Sequence, residues 1–212
     1  MYNCYQQTPS DLSIKKQLSM YHISTEIKAS NAHYLLEEVE YGHLNIRVGR
    51  ENRCFTQALH DVTGLQLPKT SLQVVQNDEF RLYWISPDEF LLLVAVGREF
   101  EIEKKIRANI KNTDSANHYA ILNVSSAQAF LKLSGSRAQS IIKKSTAYDI
   151  HPSNLPVGKA VTTTFAKTQV ILCRTKEKDL NTTSNSEEYS IIVRRSFSDY
   201  VWRWIVDAGK RE

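Results

Sequence analysis

Residues 190–210 read SIIVRRSFSDYVWRWIVDAGK, and how this stretch is parsed decides the fold. Ser190 to Val193 form an apolar run of strand character that meets two arginines, Arg194 and Arg195, and then a helical pattern. In that pattern Phe197, Tyr200, Val201, Trp204, Ile205 and Ala208 follow the spacing of one helix face, which predicts that this face is core. Trp202 lies roughly 130° from the middle of the stripe at 100° per residue. A monomer would then leave its indole largely in water. Two readings follow. Either Trp202, with Arg194, Arg195 and Arg203, belongs to a surface that a partner covers, or Trp202 tucks against the chain's own N-terminal arm. Strand alternation sends Arg194 and Arg195 in opposite directions, so at least one of them is an ordinary solvated charge.

The same strand-to-helix pattern occurs earlier. Glu89-Phe90, Leu92-Leu93-Val94, Ile102 and Ile106 match Glu188-Tyr189, Ile191-Ile192-Val193, Val201 and Ile205, each 99 residues later. Before the first copy, His43 to Val48 alternate as a strand, and Phe55, Ala58, Leu59 and Val62 take helical spacing up to Gly64. Leu72 to Trp84 alternate again. Before the second copy, Tyr119 to Leu133 read as a strand pair or bent strand, and Ser136 to Gln139 has capping-box spacing ahead of a short helix. Val161 to Phe165 and Val170 to Cys173 form a hairpin-like pair, and Ser196 and Asp199 offer another capping box. The expectation is an α+β fold of two βαββα halves, about 41–112 and 118–210, related by a pseudo-twofold axis because neither half can cover its own apolar sheet face. Residues 1–40 read as an extended arm, and the polar run 176–188 as a mobile loop.

Composition narrows the function. The 212 residues are 42% hydrophobic and 24% charged, as in ordinary globular proteins. A net charge of +4 with interspersed signs implies no dedicated nucleic-acid surface, and no aromatic strand of the RNA-binding kind is visible. No apolar run in the first thirty residues could serve as a signal core or membrane span. Cys4, Cys54 and Cys173 lie far apart without metal-ligand spacing, which suits free thiols in a reducing cytoplasm. Asn123 and Asn181 begin glycosylation sequons that have no secretory context. The six histidines include no HExxH, and seven glycines supply no phosphate-cradling loop, so neither a catalytic residue nor a cofactor or metal site is predicted on this chain.

Four phrases together resemble a known family: SPDEFLLL at 86–93, FLKLSGSRAQSII at 130–142, DIHPSNLPVGKAVTTTFAKTQVILCR at 149–174, and IIVRRSFSDYVWRWIVDA at 191–208. They are similar to the gamma subunit of bacterial heterotetrameric sarcosine oxidase, over about residues 40–210. The resemblance implies a cytoplasmic flavoenzyme that oxidatively demethylates sarcosine, passes the one-carbon unit to tetrahydrofolate and forms hydrogen peroxide. It also implies that FAD, FMN, NAD, tetrahydrofolate and zinc lie on other chains, and that this chain packs against the alpha subunit, with beta and delta completing the complex. The fold it implies is similar to the folate-binding domain of the aminomethyltransferase T-protein. Those relatives place a catalytic aspartate in the hairpin after a proline and glycine loop, whereas Val157 to Lys176 here contain no Asp or Glu. A non-catalytic, assembling role follows. The alternative is a stand-alone folate-dependent aminomethyltransferase or folate-binding protein with its carboxylate elsewhere, at Asp149 or Glu188.

Overall fold

A computed structural model describes residues 28–30, 33–110, 118–176 and 187–210. The expected arm over residues 1–27, Cys4, the Asn181 sequon and most of the expected mobile loop lie outside them. The elements are β1 (Lys28–Ser30), β2 (Leu35–Val39), β3 (Tyr41–Val48), α1 (Arg53–Thr63), β4 (Val74–Gln76), β5 (Arg81–Ser86), β6 (Glu89–Ala95) and α2 (Glu99–Asn109). They continue with β7 (Tyr119–Asn123), β8 (Gln128–Gly135), α3 (Ala138–Ser145), β9 (Ala160–Phe165), β10 (Thr168–Lys176), β11 (Glu187–Arg194) and α4 (Arg195–Lys210).

The strands form two antiparallel sheets, ordered β1-β2-β8-β11-β10-β9 and β4-β5-β6-β3-β7. Alternation gives each sheet two apolar faces. Leu44, Ile46, Leu92 and Val94 meet α1 and α2, while Leu131, Leu133, Ile191 and Val193 meet α3 and α4. Tyr83, Leu91 and Leu93 of one sheet pack on Phe130, Cys173 and Ile192 of the other. The result is four layers: helices, sheet, sheet, helices. At one edge the sheets are also stitched by backbone hydrogen bonds, Val74 N to Gly158 O at 2.7 Å and Ala160 N to Leu72 O at 2.8 Å.

Three strands separate the helices in each half, one more than the expected βαββα order. The expected boundaries also shift. Leu35–Val39 falls within the expected arm, yet it forms β2 and pairs with β8, with Leu36 fully buried. Its Glu37-Glu38 pair hides the alternation. Of the two readings of Tyr119 to Leu133, a strand pair or one bent strand, the structure has two strands, and they lie in different sheets: β7 pairs with β3, and β8 pairs with β2 and β11. Thus β2, which leads directly into β3, completes the sheet of β8, and β7, which leads into β8, completes the sheet of β3.

The first helix starts and stops as its sequence indicates. The Asn52 side chain accepts from Phe55 N at 2.9 Å, and Gly64 closes the helix at φ 71°. The two expected capping boxes do not form. Ser136 Oγ donates to His33 O instead, and α4 begins at Arg195 directly from β11, with Ser198 Oγ turned back to Arg195 O at 2.8 Å.

Candidate partner interface

The buried face of α4 consists of Ser198, Val201, Trp202, Ile205, Ala208 and Gly209. It is rotated by roughly 70°, at 100° per residue, from the stripe that hydrophobicity alone picks out. Small residues explain the rotation, because Ser198 and Gly209 let the helix sit close. Any side chain at position 209 would overlap the Tyr34 ring. Trp202 is therefore not a solvent-facing anchor: it is 3% exposed, in the same core cluster as Tyr34, Leu36, Ile141 and Ile205. The predicted core residues Phe197 and Tyr200 are the exposed ones, at 44% and 40%. Trp204 is half-buried at their margin, its Nε1 donating to Ser145 Oγ at 3.1 Å and its ring 6.4 Å from that of Tyr200.

The three arginines divide in the same way. Arg194 is exposed, and Arg203 is exposed with its Nε 3.0 Å from Asp199 Oδ2. Arg195 turns inward. Its Nη2 donates to Gln128 O at 2.9 Å and its Nη1 lies 3.6 Å from Glu38 Oε1, a carboxylate only 5% exposed. Burial pushes the Glu38 carboxyl above its usual range, and Arg195 pulls it part of the way back. His43 is buried nearby with both ring nitrogens unpartnered, and burial, aided by the Arg195 charge, lowers it to about 4. Sequence periodicity brought Arg194, Arg203, Phe197 and Tyr200 onto one helix and strand end. It misplaced the aromatics, although Ser198 and Gly209 at matching helical positions carried the signal.

The two carboxylates proposed for folate chemistry are already engaged. Asp149 accepts from His151 N and from the Asn154 side chain, which hold it below the usual carboxylate range. Glu188 takes Lys132 Nζ at 2.8 Å and the Thr175 hydroxyl at 2.8 Å. The carboxylate-free segment Val157 to Lys176 supplies a buried cation. Arg174, 1% exposed, donates to Ile150 O at 2.7 Å and Tyr189 Oη at 2.9 Å, and Tyr189 Oη donates to Glu187 Oε2 at 2.9 Å. Val170, Leu172 and Arg174 alternate onto one face, so the position was readable even though the residue type argued against burial. Among the described residues, no group of three or more His, Cys, Asp or Glu side chains could hold a metal ion, and no helix is long and apolar enough to cross a membrane.

The profile of the sarcosine oxidase, gamma subunit family matches residues 47–211. The sarcosine oxidase subunit gamma of Corynebacterium sp. (strain P-1) is 30% identical over 200 residues, covering 87% of this chain and 91% of that one. Its counterpart from Corynebacterium sp. (strain U-96) is 28% identical over 152 residues, 71% and 67% of the two chains. A chain in the structure of heterotetrameric sarcosine oxidase from Corynebacterium sp. U-96 superposes with a TM-score of 0.72 at 24% identity, covering 97% of this chain and 95% of that one, and so shares the fold. A profile match spanning both sheets and all but the first strands, together with relatives of nearly equal length, makes this chain a member of the sarcosine oxidase gamma subunit family.

Proposed function

We propose that this chain is the non-catalytic gamma subunit of a cytoplasmic heterotetrameric sarcosine oxidase, packed directly against the alpha subunit through the outer face of α4, with beta and delta elsewhere in the complex. The observation that carries the interface is the aromatic pair Phe197 and Tyr200, exposed on a helix whose inner face is already filled. Flat rings bury much area at small entropic cost, and Arg194 and Arg203 beside them can pair with carboxylates of a partner. Trp202 and Arg195 act behind this surface by fixing α4 on its sheet. FAD, FMN, NAD, tetrahydrofolate and zinc are assigned to the other chains.

We also infer that the two halves arose by duplication and are related by a pseudo-twofold axis, as in the T-protein folate-binding domain. Support comes from the shared βαβββα order and from corresponding buried positions, Phe90 with Tyr189, Ile102 with Val201 and Ile106 with Ile205. The test of the interface is co-expression with the large subunits. Phe197→Ser combined with Tyr200→Ser should leave the unfolding midpoint of the chain unchanged while weakening co-purification at least tenfold, about 1.4 kcal/mol of association energy. Undiminished recovery of the double variant in the complex would remove α4 from the interface.

A further inference from the structure

Between the sheets lies a cavity of about 110 Å³, lined by Val39, Tyr41, Arg81, Phe130, Lys132, Thr175, Glu188 and Ser190. Its charges do not cancel. Lys132 and Glu188 pair with each other at 2.8 Å, and the Thr175 hydroxyl donates to Glu188. Arg81 has no ion pair among the described residues; its Cζ lies 5.7 Å from the centre of the Tyr41 ring, and its guanidinium also reaches the Tyr83 hydroxyl. A guanidinium carries five N–H donors, so contact with one ring and one hydroxyl leaves others for an acceptor in its plane. Ser190, 1% exposed, also lines the cavity, and its hydroxyl faces the Tyr83 hydroxyl and the Cys173 thiol without a well-formed hydrogen bond. A buried hydroxyl left unpaired is costly, and such a group marks a place where a polar ligand belongs. Val39, Phe130 and the Tyr41 ring supply an apolar wall.

We infer that this cavity is a carboxylate site: Arg81 grips the two oxygens, Ser190 donates to one of them, and a short aliphatic remainder rests on Val39 and Phe130. The volume admits only a small acid or the end of an Asp or Glu side chain from a partner subunit, since pockets for larger ligands start at roughly 300 Å³. The probe is sodium acetate, compared with equimolar sodium chloride, acting on the thermal unfolding of the full-length chain.

Acetate should raise the midpoint by roughly 3 °C at saturation, and Arg81→Gln should abolish the difference. Equal midpoints in the two salts, or an undiminished acetate response in Arg81→Gln, would overturn the assignment. Ser190→Ala keeps the charge and gives an independent check: it should weaken the acetate response about tenfold, and an unchanged response counts against the site. The assembled complex separates the two sources. A retained acetate response there identifies a free small acid, whereas a lost response, with weaker assembly of Arg81→Gln, identifies a partner's carboxylate.

Discussion

Helices α2 and α4 hold corresponding places, each following a strand that pairs with the strand leading into the first helix of its half, β6 with β3 and β11 with β8, but they turn different outer faces to their surroundings. The outer face of α2 is laced with ion pairs: Arg98 with Glu101 and Glu79, Lys105 with Glu101 at 2.6 Å, and Arg107 with Glu103 at 2.9 Å. Its one large exposed ring, Phe100, stands without an aromatic neighbour within the helix. The outer face of α4 carries the ion pair of Asp199 with Arg203 and the grouped rings of Phe197, Tyr200 and Trp204. Similar inner faces show that both helices cover a sheet. The outer faces separate a surface suited to water from one suited to protein, because scattered apolar residues are ordinary on surfaces and grouped aromatics are not.

The largest expected effect tests whether the inner faces are alike. Trp202→Ala removes the biggest side chain under α4 and should cost about 4 kcal/mol, with Ile106→Ala under α2 costing about 3 kcal/mol, both read from denaturant midpoints. If Trp202→Ala cost less than Ile106→Ala, the indole would not be the keystone of its layer.

The next variant sharpens a difference between the helix-side cores, since only the α4 side contains a fully buried arginine among the described residues. Arg174→Leu strands Ile150 O and the Tyr189 and Glu187 oxygens, and should lower stability by roughly 3 kcal/mol in the same measurement.

Acid sensitivity should also localise, to the layer between the sheets beside the start of α4. His43 is held neutral in the folded chain down to about pH 4, while the unfolded chain takes up a proton near pH 6.5. Its contribution is therefore fully present above pH 6.5 and is lost as pH falls towards 4, on the order of 3 kcal/mol in all. Glu38, raised by burial, opposes this trend as it protonates. Urea titrations across that window should show a flatter slope for His43→Leu than for the wild type. The smallest effect belongs to α2: Phe100→Ser should alter neither the unfolding midpoint nor recovery with the large subunits, unlike the paired α4 substitutions.

Much of this was legible in the sequence. The repeat linking Phe90, Ile102 and Ile106 to Tyr189, Val201 and Ile205 located both strand-to-helix junctions, since deep burial selects for apolar residues at fixed spacing. Which face of α4 lies inward was not legible. With Phe197 and Tyr200 on one flank and Trp202 on the other, hydrophobicity spans most of the helix, and contact with Tyr34 and Leu36, more than 160 residues away in the chain, decides the rotation. Long-range pairing likewise assigned β2 and β7 to their sheets, which local alternation cannot do. For the proposed interface, the sequence pointed to α4 and offered Trp202 and Arg195 among its contacts, two residues that the core and Glu38 claim; the other reading of Trp202, packed on the chain's own N-terminal residues, agrees with its place beside Tyr34 and Leu36.

The exchange of leading strands has a consequence for biosynthesis. As the chain leaves the ribosome, β2 has no hydrogen-bonding neighbour on its β8 side until residue 128 and beyond have emerged, and β3 waits for β7 along one edge. A nascent N-terminal half thus carries an open edge for most of translation, and a split at residue 112 would yield two fragments, each missing a strand that only the other can donate. Complementation of those fragments in one cell, and failure of either alone to accumulate, is the behaviour such lacing dictates.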